Sequence, residues 1–180
     1  MASGNLETEI KLRMASPQAA REAVARLGAT LVRPRHFEAN VLWDDAAGSL
    51  RSQGQVLRVR EDDTGGVLTF KGVRREVDGV KAREEIETAV AEPARLALIL
   101  KALGWRPLFR YEKHREVYHW RDTEVVVDET PIGSFLEIEG PAEAIHAAAQ
   151  VLGFTRSEYI TESYPALFFA AGGQGDMVFR

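Results

Sequence analysis

The chain is 180 residues long, 45% hydrophobic and 28% charged, with a formal net charge of −4. That length suits one well-buried domain, and the negative balance excludes a bulk attraction to nucleic acid or an anionic membrane, so a polyanionic ligand would need a local basic site. The lack of cysteine removes disulfides, thiolate nucleophiles and thiolate metal sites, leaving carboxylates and four histidines as candidate metal ligands.

The first patterned segment is 6–14, where Glu7, Glu9, Lys11 and Arg13 alternate with Leu6, Ile10, Leu12 and Met14, interrupted only at Thr8. A period of two predicts a strand with one charged face. Ser16 and Pro17 read as an N-cap and first helical residue, Ala20, Val24 and Leu27 follow at helical spacing, and Gly28 ends the element, so a helix is predicted over 17–27. Strands are expected around 37–43, 56–60 and 67–72, the last two joined by a turn at 62–66.

Residues 81–90 start the same order again. A helix over 93–103 ends at Gly104, and strands are expected near 109–121, 124–130 and 134–139. Glu9 stands nineteen residues before Gly28 and Glu85 nineteen before Gly104, both helices end in Leu-Gly, and each is followed by a charged strand ending in Trp, at Trp43 and Trp120. The chain therefore reads as two copies of one βαβββ unit. A partial third echo, Glu137-Ile138-Glu139 followed by an apolar run over 141–152 and Gly153, predicts a last passage from strand to helix.

Eight strands and three helices in this order predict an α+β fold, a closed eight-stranded, mostly antiparallel β-barrel with its helices outside. A single domain is expected over 1–180, with its core at about 6–169 and a mobile tail at 170–180, where Gly172-Gly173-Gln174-Gly175 follows the last apolar run. No segment has the length of a membrane span, and the first ten residues lack a basic stretch followed by an apolar one; a soluble cytoplasmic protein is expected.

Two orientations of the charged strand faces are open. In an ordinary soluble barrel they would meet water. If instead the outer helices cover the apolar faces (Ile10 and Leu12, Leu57 and Val59, Leu68 and Phe70, Ile138), the charged faces are forced into the lumen. Buried charges in such number require interleaved signs and a ligand or ion to complete the pairing. Convergent Lys and Arg match a polyphosphate, and clustered carboxylates match Mg²⁺ or Mn²⁺.

The motif order resembles the CYTH family, named for class IV adenylate cyclase and thiamine triphosphatase. Glu7-Thr8-Glu9-Ile10-Lys11 matches its E-x-E-x-K signature, followed in order by Leu57-Arg58-Val59-Arg60, Thr69-Phe70-Lys71, Arg83-Glu84-Glu85-Ile86-Glu87 and Lys113-His114-Arg115. The series closes with the run from Asp128 through Glu137-Ile138-Glu139, then Ser163-Tyr164. The resemblance implies an eight-stranded tunnel in which Lys11, Arg58, Arg60, Lys71, Arg83, Lys113 and Arg115 bind triphosphate oxygens. It further implies that Glu7, Glu9, Glu85, Glu87, Asp128, Glu137 and Glu139 hold Mg²⁺ or Mn²⁺, directly or through water, or orient the attacking group. Lys11, Arg58, Lys71 and Glu85 form the expected catalytic set.

Three functions fit this machinery. Hydrolysis of inorganic triphosphate, a nucleotide or a thiamine-type substrate is favoured; cyclisation of ATP to cyclic AMP and pyrophosphate is the alternative, and a non-catalytic triphosphate-binding module is the third. Met1-Ala2-Ser3-Gly4-Asn5-Leu6 departs from the His-Phe-rich start of class IV cyclases, whereas the stretch from His36 to Asp44 resembles chains grouped with them. The expected partner is a triphosphate-containing small molecule, with no DNA, duplex RNA or membrane, for a monomer or homodimer. His36, His114, His119 and His146 lack metal-ligand spacing and read as surface or packing residues, and Trp43, Trp105 and Trp120 as packing beneath helices.

Overall fold

The computed structural model describes residues 5–180; residues 1–4, included in the domain expected over 1–180, lie outside these. Nine strands follow in chain order: β1 (Asn5–Met14), β2 (Thr30–Asp44), β3 (Val56–Asp62), β4 (Gly65–Lys71), β5 (Arg75–Val77), β6 (Val80–Val90), β7 (Arg106–Trp120), β8 (Thr123–Thr130) and β9 (Gly133–Glu139). The helices are α1 (Pro17–Leu27), α2 (Ser49–Ser52), α3 (Pro93–Ala102), α4 (Ala142–Val151) and α5 (Tyr164–Ala170). In α1 the Ser16 hydroxyl accepts from the Ala19 N–H at 3.1 Å, and Gly28 takes the left-handed conformation (φ 76°) that ends it.

The strands pair in the order β1-β9-β8-β7-β2-β3-β4-β6, and β6 returns to β1, closing an eight-stranded barrel in which every ladder is antiparallel. The short β5 lies outside this circle and pairs with the start of β6. The internal repeat is visible in the pairing. Asn5 opposite Glu85 is mirrored by Glu9 opposite Lys81 across the β1–β6 seam, and His36 opposite Arg115 is mirrored by Glu38 opposite Lys113 across the β2–β7 seam.

The main apolar core lies between the barrel wall and the helices rather than inside the barrel. Ile10 and Leu12 of β1, Val125 and Val127 of β8, and Leu136 and Ile138 of β9 pack against Ala20, Val24 and Leu27 of α1 and Ile145 and Ala149 of α4. A smaller core joins Trp43 and Val59 to Leu100 of α3, with Trp105 at its margin, and Trp120 belongs to the main one. Because side chains alternate along a strand, burying the apolar set outward turns Glu7, Glu9, Lys11, Glu137 and Glu139 inward, and a one-residue slip would reverse both faces.

The segment expected as a mobile tail is instead docked. Met177 is buried and exchanges backbone hydrogen bonds with β7, its N–H donating to Arg110 O and its carbonyl accepting from Glu112 N, both at 2.9 Å. It packs with Phe109, Tyr111, Phe135 and Tyr164 in a third cluster beneath α5. Glycine-rich composition suggested mobility, but Gly173 is required there by close approach, since a Cβ would stand 2.5 Å from the Phe168 ring.

Candidate active site

The lumen contains a cavity of about 530 Å³. Lys11, Arg58, Arg60, Lys71, Arg83, Lys113 and Arg115 line it, as do Glu7, Glu9, Glu85, Glu87, Glu137 and Glu139. Of the residues singled out from sequence, Asp128 alone is not in the lining. It sits fully buried in the wall behind it, accepting from Lys113 Nζ at 3.1 Å, from Arg115 Nε at 2.8 Å and Nη2 at 2.6 Å, and from the Tyr164 hydroxyl at 2.8 Å. Three of those bonds fall on Oδ2 and one on Oδ1, so its carboxylate orients the two bases from behind the lining.

The bases are held by acids of neighbouring strands. Lys11 meets Glu9 at 2.8 Å and Glu137 at 3.2 Å, and Arg115 also pairs with Glu137. Burial alone would raise the Glu137 and Glu9 carboxyls, but the adjacent lysines and arginines outweigh it and hold both below the usual carboxylate range. Arg58 reaches Glu87 and the Thr69 hydroxyl, both at 3.2 Å. Arg60 is the least engaged base, with Glu38 at 3.8 Å. Arg83 lines the cavity, yet its guanidinium donates to the backbone carbonyls of Gly72 and, at 2.7 Å, Gly54, so part of it ties two loops together.

A second group has the opposite balance. Glu7, Glu9, Glu85, Glu124 and Glu139 converge around Lys71 and Lys81. Burial and a hydrogen bond with Glu7 push Glu85 up to about 8. Burial together with the charges of Glu7, Glu9 and Glu124 pushes Glu139 up to about 9. Burial first, and the neighbouring acids second, thus favour the protonated form of both carboxyls. A cluster of carboxylate oxygens with excess negative charge and no sulfur or imidazole fits a hard divalent cation, which would take the place of those protons.

A model of the CYTH domain matches residues 5–162. The chain belongs to the CYTH family. A Methanocaldococcus jannaschii relative named "putative adenylate cyclase" is 28% identical over 149 residues, 82% of this chain and 83% of its own. Among solved structures, a Vibrio parahaemolyticus protein of the same description superposes with a TM-score of 0.79 at 20% identity, over 92% of this chain and 99% of that one. A Hippeastrum protein described as a "putative adenylyl cyclase" with a dominant triphosphatase activity superposes with a TM-score of 0.67 at 24% identity, over 93% of this chain and 97% of that one. Both structural likenesses bear on the fold. No helix among the described residues is long and apolar enough to cross a membrane.

The structure of this CYTH chain adds lining residues that the sequence reading omitted. Lys81 lies on the same alternating face as Arg83, Glu85 and Glu87, so extending the period by one step would have included it. Tyr111 lies one step before Lys113 and Arg115 on the same face of β7 but carries no charge, and Glu124 of β8 lines the cavity too. Tyr164 closes part of the lumen, with Lys11 Nζ at 5.3 Å and Lys113 Nζ at 5.5 Å from its ring centroid.

A smaller cavity of about 230 Å³ adjoins the tunnel, sharing Leu42, Val56 and Pro165 with its wall. Trp43, Phe109 and Phe169 contribute aromatic surface, and Gln55 and Arg51 contribute polar groups.

Proposed function

We propose that this CYTH chain is a metal-dependent enzyme that hydrolyses the terminal phosphoanhydride of a triphosphate. The observation that supports it most is the juxtaposition, in one lumen, of an arc of bases (Lys11, Arg58, Arg60, Lys113 and Arg115) and a cluster of acids (Glu7, Glu9, Glu85, Glu124 and Glu139). The bases supply fixed positive charge for the non-reacting phosphate oxygens, and the arginines can do so two oxygens at a time. Glu7, Glu9, Glu85 and Glu139 would hold Mg²⁺ or Mn²⁺, which supplies further charge neutralisation when bound. Lys71, paired with both Glu7 and Glu85, keeps the Glu85 carboxylate directed into the lumen.

Water attacks the terminal phosphorus, the bond to the bridging oxygen breaks, and the diphosphate leaves with that electron pair. Glu85, once ionised, would accept the proton that the water loses. Lys11 and Arg115, fixed by Glu137 and Asp128, stay protonated and stabilise the charge that builds on the leaving oxygens.

A cyclase is the second reading, and the side cavity favours it: a volume of about 230 Å³ with aromatic walls next to the tunnel suits a nucleobase. The name of the Methanocaldococcus relative supports the same reading, and the activity described for the Hippeastrum protein supports hydrolysis. Incubating the protein with inorganic triphosphate, ATP or thiamine triphosphate under Mg²⁺ or Mn²⁺, and resolving orthophosphate, pyrophosphate and cyclic AMP, separates them. Orthophosphate release is expected. Cyclic AMP with pyrophosphate would replace hydrolysis by cyclisation, and binding without turnover would leave a binding module.

A further inference from the structure

A cluster outside the tunnel lining has a different donor chemistry. His36 and Glu38, two residues apart on β2, share one face, and the pairing of Ala39 with Glu61 brings Asp62, at the end of β3, beside them. One ligand atom from each of the three lies within 4.8 Å of the other two. The side chains are 4%, 2% and 5% exposed, so water does not satisfy them.

The orientation of the imidazole is informative. His36 Nδ1 stands 2.9 Å from the Pro34 carbonyl, which can only accept, so Nδ1 carries the proton and donates to it. In the neutral ring Nε2 then presents a lone pair inward, as in a histidine whose outer nitrogen is fixed for metal binding. Nε2 has no hydrogen-bond partner, nor has Glu38 Oε2. The Nε2 to Glu38 Oε1 separation is 3.4 Å. Two ligand atoms each about 2.1 Å from one ion at a tetrahedral angle stand about that far apart.

Asp62 is braced from behind. Its Oδ1 accepts from the Thr64 N–H at 2.8 Å and hydroxyl at 2.6 Å, which fills it, and its Oδ2 accepts from Arg33 Nη1 at 2.9 Å, which leaves one lone pair on Oδ2. Lys113, directly opposite Glu38 on the neighbouring β7, and Arg60, on the neighbouring β3, stand 3.6 and 3.8 Å from its carboxylate, beyond hydrogen-bond length, and Lys113 has its closer partner in Asp128. These cations oppose a bound ion by charge, yet neither hydrogen-bonds to Glu38 Oε2.

We propose that His36, Glu38 and Asp62 form a second metal site, selective for a borderline transition-metal dication such as Zn²⁺ or Co²⁺ and distinct from the all-carboxylate cluster of the tunnel. Imidazole discriminates against Mg²⁺, so the two sites sort ions by ligand type.

The test is a Zn²⁺ titration of chelator-stripped protein against a chromophoric competitor in excess Mg²⁺. One Zn²⁺ per chain should bind, resist Mg²⁺ and persist in Glu139→Gln. Affinity should fall at least about tenfold in His36→Gln and in Asp62→Asn, with unchanged circular dichroism. Failure to bind Zn²⁺ under Mg²⁺, equal affinity in wild type and both site variants, or loss in Glu139→Gln alone would overturn the proposal. Should the variants not fold, ¹⁵N spectra of wild-type His36 decide: Zn²⁺ must shift Nε2, and an unshifted ring would refute the site.

Discussion

Lys11 and Glu137 stand directly opposite each other on the β1–β9 ladder, and their side chains meet at 3.2 Å inside the barrel. The flanking pairs, Ile10 with Ile138 and Leu12 with Leu136, point the other way into the core under α1 and α4. Packing and site chemistry are thus set by the same register. Replacing Glu137 with Gln leaves Lys11 with Glu9 alone, and the expected result is a folded protein whose Lys11 binds phosphate less selectively. Calorimetry with inorganic triphosphate and with sulfate reads the lost discrimination.

Arg60 is the base with the loosest internal partner, so its loss should harm binding more than folding. Arg60→Ala is expected to weaken triphosphate binding by about 1–3 kcal/mol, the range for charge-assisted bonds, at unchanged thermal stability. Unaltered affinity would remove Arg60 from the site.

Glu9→Gln and Glu139→Gln should each abolish turnover while sparing or tightening metal-free triphosphate binding, since a negative charge facing the ligand is gone. Full activity across a Mg²⁺ and Mn²⁺ titration in both variants would make these carboxylates structural.

The raised carboxyls also fix a pH dependence. Glu85 and Glu139, at about 8 and about 9 in the folded protein, bind protons that the unfolded chain has released above its ordinary value of 4.5. Their contribution to stability is therefore full below about pH 4.5 and is lost as pH rises through 8 and 9. The metal-free protein should melt lower at pH 9 than at pH 6, Glu139→Gln should flatten that slope, and Mn²⁺ should restore the high-pH melting temperature. Glu9 and Glu137, held low by their basic neighbours, act in a separate window, losing their contribution as pH falls below 4.5.

Asp128, itself fully buried, neutralises two bases. Asp128→Ala is expected to cost about 3–5 kcal/mol because it leaves uncompensated buried charge, whereas Tyr164→Phe, removing one bond to that carboxylate, should cost about 1.5–3 kcal/mol. Urea denaturation of the two variants tests the ranking, and equal costs would contradict it.

The period-two segments were legible because each carries both a charged and an apolar face; the inward placement of Glu9, Arg58, Lys71 and Glu137 followed once helices had to cover the other face. Helix α1 was legible to the residue, since Ser16, Pro17 and Gly28 mark its ends. The starts of β2 and β7 were not. Both strands run back past a proline, Pro34 and Pro107, and the β2–β7 pairing shifts register beside each, which is how the ladder accommodates a residue without an N–H. Strand β5 was missed because Arg75, Glu76 and Val77 are all exposed and bury no face. The docking of Met177 and the internal role of Asp128 depend on partners distant in sequence, which no local pattern records.

The two halves of the barrel share a backbone plan but not a charge plan. Where the β1–β6 seam brings matching positions together, the signs are reversed: Glu7 faces Arg83. A duplicated wall of uniform charge would present the same potential at both repeats and could seat a chain of phosphates in either direction. This lumen instead carries a transverse field, basic along one side and acid-rich along the other, so a ligand with unlike ends meets unlike walls. Reversal costs it every matched contact at once. The polarity of the passage therefore lies in the side chains and not in the backbone plan, and exchanging the signs at Glu7 and Arg83 together would probe it with the strands left in place.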